Sequence, residues 1–81
     1  MRNLNIVSTV YTGNTTIPRN INRGYFMITM TSGTCTLNFG GGTGELPVAA
    51  AGYYEPLIAP NSEIIITTTG TFVVLANAEG V

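Results

Sequence analysis

Tyr25-Phe26-Met27-Ile28-Thr29-Met30-Thr31-Ser32-Gly33-Thr34-Cys35-Thr36-Leu37-Asn38-Phe39 decides the fold class. Two runs of aromatic, β-branched and apolar residues flank Ser32-Gly33, which suits a two-residue turn. Read as a hairpin, the stretch sets Thr31 opposite Thr34. Met30 then faces Cys35, Ile28 faces Leu37 and Phe26 faces Phe39. On the other side Thr29 faces Thr36 and Met27 faces Asn38. One side is wholly apolar and the other mostly polar, the alternation of a sheet with one buried face.

Working outward, the same grammar repeats. Turn formers recur about every ten residues: Thr12-Gly13-Asn14, Asn20 to Gly24, Ser32-Gly33, Gly40-Gly41-Gly42-Thr43-Gly44, Gly52, Pro60-Asn61, Thr69-Gly70 and Gly80. Short strand-forming runs lie between them, the pattern of an all-β sandwich or barrel. No segment carries an apolar 3.6-residue period long enough for a helix. A second hairpin is expected from Glu63–Thr68 to Thr71–Ala76 through Thr69-Gly70, with Ile66 facing Val73, Ile65 facing Val74 and Ile64 facing Leu75. Both of its faces are apolar, so it lies centrally or meets another subunit. At the start, Leu4, Ile6 and Val10 fall on one side and Val7, Thr9 and Tyr11 on the other. The expectation is one small antiparallel β-sandwich or barrel of about eight short strands. Residues 1–16 form an N-terminal arm or edge strand, and residues 17–81 form the core.

The 81 residues are 44% hydrophobic and 9% charged, with three arginines against four glutamates and no histidine. That balance excludes a basic nucleic-acid binder and a disordered acidic tail. No apolar run approaches the roughly 20 residues of a membrane-spanning helix. Met1-Arg2-Asn3-Leu4-Asn5-Ile6 lacks the apolar stretch of a secretory signal, so synthesis in a reducing cytoplasm is expected. The lone Cys35 has no internal disulfide partner. Soluble small domains carry about 25–35% charged surface; a chain this poor in charge is expected to meet protein over much of its surface.

The residues that could carry chemistry are few. The glycine run 40–44 lacks the lysine and the strand–loop–helix setting of a phosphate cradle, and reads as a hairpin loop. Cys35 has no histidine to activate it and falls on the apolar face as an inert core thiol. Glu45 and Glu55 have the residue type of a glycosidase pair, with Tyr53-Tyr54 as a sugar-stacking patch, but solubilising edge charges are the simpler reading. With no histidine or aspartate and one cysteine, no metal or cofactor is expected, and no enzyme. Arg19 and Arg23 flank Asn20-Ile21-Asn22 and could meet carboxylates on a partner protein. Thr29, Thr31, Thr34 and Thr36 read as a solvent-facing sheet surface.

From about Ile17 to Glu79 the order of features resembles small tailed-bacteriophage virion proteins, the capsid decoration or cement proteins and related head and fibre modules. It runs through Asn22-Arg23-Gly24-Tyr25-Phe26-Met27-Ile28, a Ser-Gly turn, Leu37-Asn38-Phe39-Gly40, a glycine-rich loop, Leu46-Pro47 and Gly52-Tyr53-Tyr54-Glu55. It ends with Ile64-Ile65-Ile66 and Thr69-Gly70-Thr71-Phe72-Val73-Val74-Leu75. The resemblance implies a virion protein on the outer capsid surface, commonly a homotrimer, bridging subunits of the major capsid protein. The expected partner surface is Leu4, Ile6, Val10, Tyr11, Arg19, Arg23, Tyr53 and Tyr54. The alternative is a carbohydrate- or receptor-binding module of a phage tail or head fibre, with Tyr53 and Tyr54 as stacking platforms.

Overall fold

The computed structural model describes residues 4–81. Met1, Arg2 and Asn3 of the expected arm lie outside the described residues. The strands are β1 (Ile6–Thr12), β2 (Thr15–Ile17), β3 (Phe26–Ser32), β4 (Cys35–Phe39), β5 (Leu46–Val48), β6 (Tyr53–Tyr54), β7 (Ile64–Thr68) and β8 (Thr71–Asn77), followed by a short 3-10 turn, Ala78–Gly80. They form two antiparallel four-stranded sheets, in the orders β1-β8-β3-β6 and β2-β7-β4-β5. The all-β sandwich is therefore the fold, and its strand order is that of an eight-stranded jelly roll.

Neither expected hairpin forms. β3 and β4 lie in opposite sheets, and so do β7 and β8. Met30 pairs with Phe72, whereas Cys35 pairs with Val48 and Thr68. Ser32-Gly33-Thr34 is thus an arch that carries the chain across the core. The apolar alternation is satisfied equally by two strands side by side and by two strands facing each other. Inward residues remain inward either way, so Phe26, Ile28, Met30, Cys35 and Leu37 are all buried. What changes is every hydrogen-bonded neighbour. Gly13-Asn14, Thr69-Gly70 and Ala49–Gly52 also join strands of opposite sheets. Four arches therefore close one end of the sandwich. Only β4 and β5 are both consecutive and paired, and the glycine run 40–44 is their hairpin loop.

The two-faced apolar segments β7 and β8 are interior strands, one in each sheet. Their inner residues Ile64, Ile66, Phe72 and Val74 are buried against Ile17, Phe26, Ile28, Leu37 and Val48. β1 is a full member of its sheet, paired with β8 from Ile6↔Asn77 to Thr12↔Thr71.

Candidate functional site

Strand alternation sorts the side chains of the β1-β8-β3-β6 sheet into two sets. The inner set builds the core. The outer set is Ile6, Ser8, Val10 and Thr12 on β1, Thr71, Val73 and Leu75 on β8, Met27, Thr29 and Thr31 on β3, and Tyr53 on β6. The pairings place Val10, Val73, Thr29 and Tyr53 in one row across the sheet, and Ser8, Leu75 and Met27 in the next. Val10 is 66% exposed and Tyr53 69%. No residue of this outer set is charged. Charges come only just past the strand ends, with Glu55 two residues after Tyr53 on this side and Glu63 two residues before Ile65 on the other sheet.

Of the expected partner residues, Ile6, Val10 and Tyr53 share this face, and Leu4 packs over Gly24 just beyond it. Arg19 lies off it on the β2–β3 loop, and three others are turned inward. Tyr11 points inward, its ring stacked on Phe72 with centroids 5.4 Å apart; it sits one residue out of phase with Val10. Tyr54 points inward for the same reason and packs against Phe39 at 6.0 Å. The two-tyrosine platform is therefore not formed, because consecutive strand residues face opposite ways.

The third is Arg23, which is buried rather than presented to a partner. Its Nε donates to Gly80 O at 3.0 Å, one terminal nitrogen to Pro60 O at 2.7 Å and Ser62 O at 3.2 Å, and the other to Pro18 O at 2.7 Å. The planar fork thus joins the segment before β3 to the end of β2, the β6–β7 loop and the C-terminal turn. Burial lowers its pKa from the ordinary arginine value, and four carbonyl dipoles take the place of water around the cation. Asn77 completes the tie. Its Oδ1 accepts from the Gly24 and Tyr25 amides, and its Nδ2 donates to Asn22 O. Arg19 remains exposed.

The rest of the candidate chemistry disperses. Cys35 is buried, and burial pushes its thiol up from the ordinary range. Glu55 accepts a hydrogen bond from the Tyr25 hydroxyl, an interaction that raises the Tyr25 pKa, helped by desolvation and the carboxylate charge. Beside them Pro56 and Leu57 line a shallow, open depression. Among the described residues, no group of three or more histidine, cysteine, aspartate or glutamate side chains could hold a metal ion.

Sequence reasoning missed one apolar feature. Leu57 is fully exposed and Ile58 82% exposed, on the loop between β6 and β7. The signal was present in Pro56-Leu57-Ile58-Ala59-Pro60, an apolar stretch held between two prolines that cannot join a sheet ladder. Comparison with known proteins adds no relative to this picture: no family model and no curated protein matches the chain.

Proposed function

We propose that the protein is a structural module of a virus particle, a decoration protein that docks on the outer surface of a phage capsid and clamps neighbouring subunits of the major capsid protein. The observation that supports this reading is the large apolar side chains in adjoining rows on the outer face of the β1-β8-β3-β6 sheet, at strand positions that carry no charge. A surface on which exposed Val10 and Tyr53 flank half-buried Val73, Leu75 and Met27 among threonines is built to be covered. Its affinity comes from apolar burial, with threonine hydroxyls satisfying polar groups at the rim. Many attached copies on one shell would turn modest contacts into firm cementing. The jelly-roll order, shared by capsid and lectin domains, agrees by analogy of fold. The resemblance implies a trimer and a virion location after synthesis in the host cytoplasm. The carbohydrate-binding alternative needs both tyrosine rings on one surface, and only Tyr53 is there.

The test is co-sedimentation of the purified chain with heads of the source particle. Saturable binding is expected. Val73→Glu and Tyr53→Glu are each expected to weaken it about tenfold or more, the range of a central contact residue. Thr67→Glu, on the opposite face, is expected to leave it unchanged. Binding that is lost with Thr67→Glu and kept with Val73→Glu overturns the assigned face. A chain that ignores the heads and binds a glycan array overturns the function.

A further inference from the structure

Each sheet has two edges, and three of the four are guarded. β6 is two residues long and runs into Glu55-Pro56. β2 is three residues long and ends at Pro18. β5 has three residues with Pro47 in the middle. Short strands, prolines and charges are the usual means of blocking edge pairing. β1 has none of them. It is seven residues long, with no proline and no charge.

The backbone of β1 can be assigned a side. The Ala78 amide donates to Asn5 O, and the Gly13 amide donates to Gly70 O. Odd-numbered residues along this stretch therefore turn their backbone groups toward β8. The even-numbered Ile6, Ser8, Val10 and Thr12 turn theirs to the open edge.

We propose that this edge pairs with β1 of a second copy, antiparallel about a two-fold axis at Thr9. In that register every open-edge residue meets another. Ser8 faces the partner's Val10 and Ile6 faces the partner's Thr12, each pair exchanging two backbone hydrogen bonds. On the inner side Thr9 faces the partner's Thr9 and Val7 faces the partner's Tyr11. Hydroxyl pairs and aromatic–aliphatic pairs are favoured cross-strand neighbours, and no like charges are opposed. The strand is thus complementary to itself. A second observation agrees. Thr9 and Tyr11 line a cavity of about 50 Å³ with Ile17, Phe26 and Val74, at the side where the two sheets part. A second copy would cover that side. It would also extend that outer face from four strands to eight. The pairing is isologous and closes at two copies, in place of the trimer that the resemblance implies. It does not depend on what the outer face docks against.

Sedimentation equilibrium of the free chain tests it. A mass of twice 8.5 kDa is expected, with slow amide exchange at Ser8 and Val10. The double variant Ser8→Lys, Val10→Lys opposes lysines twice across the axis and is expected to weaken the dimer roughly tenfold or more. Ser8→Glu, Val10→Lys opposes unlike charges in the same register and is expected to remain a dimer. Both positions are exposed, and circular dichroism checks that each variant keeps its strands. A wild-type monomer or trimer, or equal masses for the two double variants, overturns the proposal.

Discussion

At the scale of the residue, the molecule uses its few polar side chains as ties between loops. Arg23 joins segments whose carbonyls would otherwise face one another across a gap. Truncating Arg23→Ala leaves Gly80, Pro60, Ser62 and Pro18 carbonyls without their donor. A loss of about 3 kcal/mol is expected in denaturant unfolding. Arg23→Lys should recover only part of it, because one ammonium cannot span three segments; full recovery by lysine would show that charge alone is what the site needs. Cys35 is the other residue whose surroundings set its behaviour. Burial raises its pKa, so the folded thiol holds its proton more tightly than the unfolded one. Its contribution is therefore complete below the ordinary thiol range near 8.5, and stability falls as pH rises through that range toward the folded value. Native Cys35 should label slowly with a thiol reagent at neutral pH, and Cys35→Ala should remove that alkaline step. Rapid labelling without denaturant would contradict its burial. The burial was legible from alternation alone. The role of Arg23 was not, since an arginine beside Asn20-Ile21-Asn22 has the same local sequence whether it points out or in.

At the scale of the element, alternation fixed which residues face the core and left open which strands are neighbours. A hairpin and an arch have the same inward set, so Met30 and Cys35 read identically in both. The distinction lies in the turn. Gly33 takes φ +73, and a Cβ placed on it would lie 3.3 Å from Gly70 Cα, because the two arches stack. A Cβ on Gly70 would fall 2.0 Å from Ser32 O. That contact is long-range, and nothing near Thr69-Gly70 in the chain announces it. Gly70→Ala is therefore expected to cost about 3 kcal/mol, the upper range for forcing extra volume into a packed site. Gly44→Ala, with open space at its Cβ, should cost well under 1 kcal/mol, as surface substitutions do. Equal midpoints for the two in urea would mean that the arches do not stack. β1 is likewise held by long-range contacts. Its register with β8 and the Tyr11–Phe72 stack make it structural, so deleting residues 1–12 should remove the fold along with any attachment.

At the scale of the whole molecule, the surfaces left for association are apolar and hydroxyl-bearing, and that sets how assembly responds to salt. Among the described residues, the charges that could be screened are Arg19 and the glutamates at loop and strand ends; Arg23 is enclosed. Exposed ion pairs contribute about 0–1 kcal/mol each. Raising sodium chloride from about 0.1 to about 1 M shortens the screening length from roughly 10 to roughly 3 Å. Contacts made by Val10, Val73, Leu75, Met27 and Tyr53, and backbone bonds along β1, contain no charge for the salt to screen. Both the mass of the free chain and its retention on capsid heads should therefore hold across that range. Urea, which solvates apolar and peptide groups, should weaken both before the fold is lost. If salt strips the protein from heads while urea below the unfolding transition does not, attachment is electrostatic. Arg19 then becomes the first contact to substitute, because it is exposed and Arg23 is buried among backbone carbonyls.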